Sequence, residues 1–246
     1  MKRIFLTLIL SFLLVSSAFA GQRYIKFDAQ TGGWTTTNTI TGATSGATAV
    51  IKAIQDDGTT GILELIQVTG TFVDDEIIYE SALGVELLTD WDCEADPGVV
   101  WGNYSTPTTN ERSIEQQHQA LSSRKFIGDT SQDGVANQTA VVVVNSFYIS
   151  TAWVYINALG GSTEVRLIVR RNDTFAAYSG WDKTSVIGSW AQLTQVFKAI
   201  HTGTAMTVTQ SGDGDTTVYT DDTSLKVITN AALINGSPFG GARAIW

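Results

Sequence analysis

Apolar and polar residues alternate along most of this chain. In VYTDDTSLKV, Val218 to Val227, a two-residue period puts Tyr219, Asp221, Thr223, Leu225 and Val227 on one side and Val218, Thr220, Asp222, Ser224 and Lys226 on the other. The same alternation runs through AVIKAIQ, GILELIQ, FYISTAWVYINA, STEVRLIVRR, WAQLTQVFKAI and AMTVTQS, which are rich in Thr, Val, Ile and aromatic residues. This pattern predicts an all-β protein. One stretch departs from it: TTNERSIEQQHQALSSRKF, Thr108 to Phe126, whose polar composition predicts a short helical turn or a surface loop.

Turn residues divide the chain. AVIKAIQ and GILELIQ flank Asp56, Asp57 and Gly58, a hairpin signal because a tight connection needs residues that tolerate positive φ. With Gly42, Gly46 and Gly70 bounding further short strands, residues 21–86 are expected to form a small β-barrel-like or hairpin module. Residues 87–229 carry short strands separated by NALGGST and SGDGDT, which suits an antiparallel β-sandwich. Residues 230–246, NAALINGSPFGGARAIW, read as an apolar tail ending in Trp246. Two roles stay open for it: docking on a neighbouring subunit, or covering an edge of its own domain.

The first residues place the chain. Lys2 and Arg3, the apolar run IFLTLILSFLLV and the small-residue ending SSAFAG predict a secretory signal over residues 1–20, cleaved after Ala20. The run is short for a membrane span, so a secreted, extracellular protein is expected. The net charge of −9 grows more negative when Lys2 and Arg3 leave, which argues against a nucleic-acid partner. It also disfavours acidic glycans and anionic membranes as bulk partners, although a local basic cluster overrides an average. Cys93 is the sole cysteine, so no internal disulfide forms; it is a buried small hydrophobe or an intermolecular link.

Catalytic patterns are missing. His118 and His201 stand far apart and outside any H-x-x-x-H or H-E-x-x-H arrangement, and there is no G-x-S-x-G elbow or P-loop. Asp56/Asp57, Asp74/Asp75 and Asp221/Asp222 are sequence neighbours. Neighbours on a strand point to opposite faces, whereas a glycosidase needs two carboxylates facing one sugar. The chain is therefore expected not to be an enzyme.

Four segments in order, LLTDWDCEADPGVVWGNY, FYISTAWVYINALGGSTEVRLIV, GSWAQLTQVFKAI and TTVYTDDTSLKVI, resemble the carbohydrate-binding modules of families four and nine, which are galactose-binding-like β jelly rolls. The resemblance implies a jelly roll over residues 87–229, a carbohydrate ligand and one structural Ca²⁺ held by Glu94 and Asp221. A carboxylate on an otherwise apolar strand face needs some such partner, or a set of hydrogen bonds. Trp91, Cys93 and Thr223 depart from the family pattern. TGATSGATA, the G-x-L-x-L strand GILEL and VTGTF followed by DEII resemble a small β-module of tailed-bacteriophage structural and tail proteins, which implies a spacer or assembly role.

Sugar sites combine an aromatic platform with polar side chains. Arg166 and Arg170 share one strand face, and Tyr178 and Trp181 follow in a loop; these four, with Tyr155 and Trp101 next, form the candidate carbohydrate site. Against them, Trp101, Trp153 and Trp190 are positions that fill a jelly-roll core, and exposed strand arginines also serve solubility. Two functions follow. One is a non-enzymatic extracellular or virion-surface protein that binds carbohydrate through its jelly roll. The other is an architectural phage-type tail or decoration protein whose jelly roll binds no sugar and whose first module or tail serves self-assembly or a virion partner.

Overall fold

The computed structural model describes residues 24–81, 83–95, 100–119 and 121–236. The expected signal segment, its cleavage point after Ala20 and the end of the tail with Trp246 lie outside them. Among the described residues every regular element is a strand, and these residues divide into two compact units, one from 24–81 together with 229–236, the other from those between 83 and 228.

The first unit is a closed barrel. Its strands are β1 (Tyr24–Thr31), β2 (Thr39–Gly42), β3 (Thr48–Asp56), β4 (Gly61–Thr69), β5 (Ile77–Glu80) and β17 (Ala231–Ile234), in the order β1-β17-β5-β2-β3-β4. Alternate positions fill its interior: Ile25 and Phe27, Ile40, Ala49 and Ile51, Leu63 and Leu65, Ile78, and Ala232 and Ile234 are buried in one cluster. The β3–β4 hairpin turns where expected. Gly58 has φ +87°, and the Asp57 carboxylate accepts the N–H groups of Thr59 and Thr60 at 2.9 and 2.8 Å, which hold it below the ordinary carboxylate range. Two buried glutamates tie the loops to the barrel. Glu76 accepts N–H groups from Thr44, Ser45 and Val73, and Glu80 accepts from Thr35, Asn38 and Asn230.

The segment read as a tail begins as a barrel strand. β17 pairs with β1 on one side and β5 on the other, so closure of the barrel depends on residues that follow the whole second unit. Its pattern, apolar and only four residues long, carries no signal of which sheet it joins.

The second unit is an antiparallel sandwich of jelly-roll type. Its strands are β6 (Leu83–Glu86), β7 (Trp101–Tyr104), β8 (Thr109–Ser113), β9 (Ser123–Gly128), β10 (Gly134–Asn137), β11 (Phe147–Ala158), β12 (Val165–Arg171), β13 (Asp182–Thr184), β14 (Trp190–Lys198), β15 (Thr204–Gln210) and β16 (Thr216–Ile228). One sheet runs β13-β12-β15-β10-β7 and the other β14-β11-β16-β9-β8, with β6 beside β16. Trp101, Phe126, Val135, Ala152, Val154, Leu167, Val169, Leu193, Met206, Val208, Val218 and Leu225 belong to the shared core.

Two sequence expectations change here. Thr108–Phe126 has strands at its two ends, β8 and β9, paired from Thr109↔Ile127 to Ser113↔Ser123, and the surface loop expected there is confined to the connection between them. Its polar residues lie largely on an exposed outer strand and its loop, where the period of a helix has no meaning. The face read through Val218 to Val227 is also broken. The register against β11 shifts between Trp153↔Asp221 and Thr151↔Ser224, and Asp222 takes φ +43°, which marks a β-bulge. Tyr219 and Asp221 therefore align with Tyr155 and Trp153 on the outer side, while Val218 and Leu225 lie in the core.

Candidate functional site

The outer face of the five-stranded sheet gathers the arginines. On β12, Val165, Leu167 and Val169 enter the core, so alternation turns Arg166, Ile168 and Arg170 outward. Register carries that face across the sheet. Thr209, Thr207 and Ala205 of β15 lie opposite these three, Gly134 and Ala136 of β10 follow, and Tyr104 and Gly102 of β7 complete it. Only small side chains stand between β12 and β7, so two long ones meet above them: the Arg170 guanidinium lies 4.7 Å from the centroid of the Tyr104 ring.

Each arginine is fixed in place. Arg170 Nε donates to Thr207 Oγ1 at 3.3 Å and Nη1 to the Phe175 carbonyl at 3.1 Å, while the Phe175 ring meets Tyr104 edge-on at 5.5 Å. Arg166 lies over the Trp181 ring at 4.7 Å and donates to Glu164 at 2.7 Å; Glu164 also takes Lys183 at 2.6 Å. Those two cations hold the Glu164 carboxyl below its ordinary value. Trp181 remains 50 % exposed, so its indole is available to a ligand. The Thr209 hydroxyl on the same face is buried and has no hydrogen-bond partner in the protein.

The six expected sugar residues do not converge. Arg166, Arg170 and Trp181 share the face just described. Tyr178 instead packs against the core, its ring 5.0 Å from Phe197 and its hydroxyl 2.8 Å from the carbonyls of His201 and Gly203. Trp101 is fully buried and donates its indole N–H to the Asp90 carbonyl at 3.1 Å. Tyr155 stands on the outer side of the other sheet, against Trp190 at 5.7 Å and Tyr219 at 6.1 Å. Trp153 and Trp190 lie on that outer side too, so of the three tryptophans read as core only Trp101 is one. Tyr104, Phe175, Thr207 and Thr209 escaped the sequence reading. WGNY is too short to reveal its alternation, and only strand order brings β7 onto the same face as Arg170.

Glu94 and Asp221 anchor the same connection, the one between β8 and β9. Asp221 Oδ2 accepts the His118 N–H at 2.9 Å and Oδ1 accepts that of Asp222 at 2.8 Å. Glu94 Oε1 accepts from Leu121 and Ser122, both at 2.8 Å, and Oε2 takes Arg112 at 3.1 Å. Every oxygen of the pair thus faces an N–H group, a donor set that does not fit Ca²⁺, which wants six or more oxygens. Among the described residues no group of three or more His, Cys, Asp or Glu is placed to hold a metal ion. The bulge also brings Asp221 and Asp222 to one side, contrary to the expectation for strand neighbours: Asp222 Oδ2 lies 2.7 Å from His118 Nδ1, and the His118 ring stacks on Trp153 at 3.9 Å. Cys93 is buried, one of the two fates expected for it, and burial raises its thiol pKa well above the ordinary value.

No protein-family model matches the chain, and no curated protein matches it. Among solved structures it is similar to the CBM22-1 xylan-binding domain of Paenibacillus barcinonensis Xyn10C, at 13 % identity and TM-score 0.46 over 60 % of this chain and 96 % of that one. It is similar to TmCBM61 in complex with β-1,4-galactotriose, at 17 % identity and TM-score 0.45 over 58 % of this chain and 98 % of that one. It is also similar to the enzymatically active domain of bacteriophage CBA120 tailspike protein 4, at 9 % identity and TM-score 0.45 over 58 % of this chain and 22 % of that one.

Proposed function

We propose that this is an exported, non-catalytic protein that binds carbohydrate on the outer face of its five-stranded sheet. The observation that carries the reading is Trp181, a half-exposed indole braced by the Arg166 guanidinium at 4.7 Å. A large aromatic ring left in water and fixed by a cation is poised for the apolar face of a sugar, and the neighbouring Arg166 and Lys183 offer hydrogen bonds to its hydroxyl rim. Export is supported by the basic start, apolar run and small-residue ending of residues 1–20.

The test is retention of the full protein on a broad panel of immobilised polysaccharides. Selective retention, competed by free sugar and abolished by Trp181→Ala without a lower melting temperature, is the expected result. A well-folded protein that no polysaccharide retains would instead fit the architectural role, with the barrel as the part to study.

A further inference from the structure

We infer that the glycan taken by this face is acidic, a sugar chain bearing carboxylate or sulfate groups, with Arg170 as the charge partner of its anion. The inference rests on the carbohydrate reading above and names the ligand class of that same site.

Arg170 is the observation that demands it. The residue is only 9 % exposed, yet its hydrogen bonds go to a hydroxyl and a carbonyl, Thr207 Oγ1 and Phe175 O. These satisfy N–H groups, and the Tyr104 ring at 4.7 Å meets the cation with its π face, but neither supplies an anion. Among the described residues no carboxylate pairs with it, whereas Arg112, Arg166 and Arg171 pair with Glu94, Glu164 and Asp173 at 3.1, 2.7 and 2.8 Å. Burial, the largest influence, pulls the Arg170 pKa down; Tyr104 opposes that pull and Arg166 adds to it. A buried cation without a counter-charge is costly.

The rest of the face agrees. TAMTVTQ, GVAN and WGNY, the strands β15, β10 and β7, contain no acidic residue. Glu164 is the one carboxylate in ion-pair contact with this set among the described residues, and Arg166 and Lys183 share it. In a chain of net charge −9 this face is a local reversal, the circumstance in which a cluster overrides the average. The two arginines stand four residues apart on one strand, roughly 13 Å, so they can engage separated groups along a chain. A planar guanidinium meets carboxylate or sulfate oxygens with paired hydrogen bonds, while Tyr104 and Trp181 present rings to the sugars.

The experiment compares retention of the full protein on immobilised polygalacturonate, on its methyl ester, which is the same polymer without charge, and on a sulfated galactan. Retention on a polyanion roughly tenfold or more above the methyl ester is expected, the size of losing one charge-assisted contact, and it should weaken as salt rises. Arg170→Gln should erase that preference. If Arg170→Gln lowers the melting temperature, Arg170→Lys and the salt dependence of the unaltered protein decide the matter. Preference for the sulfated galactan over polygalacturonate would assign the anion as sulfate and keep the inference.

Equal, salt-insensitive retention on charged and methylated polymers would overturn the acidic class. In that case, sensitivity of retention to Trp181→Ala would leave the carbohydrate reading standing. Failure on all three and on the neutral panel would remove both.

Discussion

The backbone N–H of His118 donates to the carboxylate of Asp221 at 2.9 Å, although 103 residues separate them in the chain. This bond ties the connection between β8 and β9 to the bulge in β16, and it gives a fully buried carboxylate its purpose. Glu94 fastens the other end of the same connection through Leu121 and Ser122.

Asp221 should make stability depend on pH. Burial, the largest influence, raises its pKa from 3.8 to about 6, against the lowering effect of the His118 and Asp222 N–H groups. The folded state therefore keeps a proton that the unfolded chain has lost. The resulting contribution is full below about pH 4 and is lost as pH rises through the folded value. It amounts to about 3 kcal/mol at most. Urea unfolding at acid and neutral pH is expected to show this slope in the unaltered protein and to show it reduced in Asp221→Asn; equal slopes would refute the assignment.

Chelation is expected to leave the melting temperature unchanged, because the oxygens of Glu94 and Asp221 already accept N–H groups. A fall in chelator that Ca²⁺ restores would show that these carboxylates turn to a metal instead. A site saturated at a hundred times its dissociation constant contributes about 2.7 kcal/mol, which a thermal melt resolves easily.

Trp101 and Trp181 should respond in opposite ways. Trp101 is fully buried in the sandwich core, so Trp101→Ala is expected to cost about 3–5 kcal/mol in urea unfolding. Trp181 is half exposed, and Trp181→Ala should change stability by about 0.5 kcal/mol or less. A large loss at Trp181 would mean that its indole supports the fold, and the case for a ligand platform would weaken.

Ending the chain at Thr229 should open the barrel. Without β17, the edges of β1 and β5 lose their partners, and exposed strand edges invite aggregation. The truncated protein is expected to lose the barrel's unfolding transition in calorimetry and to self-associate on size-exclusion chromatography. A soluble truncation that keeps both transitions would show that β17 is dispensable.

The all-β class, the β3–β4 hairpin and the shared strand face of Arg166 and Arg170 can be read along the chain, because each is local: alternation assigns faces, and an Asp-Gly turn needs no distant partner. That Ala231–Ile234 closes the first unit, that Tyr104 meets Arg170 and that Tyr155 stands on the other sheet follow only from the assembled fold. Each of these depends on strand order and register, which short segments of similar composition do not encode separately. A single extra residue at the bulge did the same to Asp221. It reversed the face read from a perfect period of two, and set the carboxylate beside His118 instead of in the core.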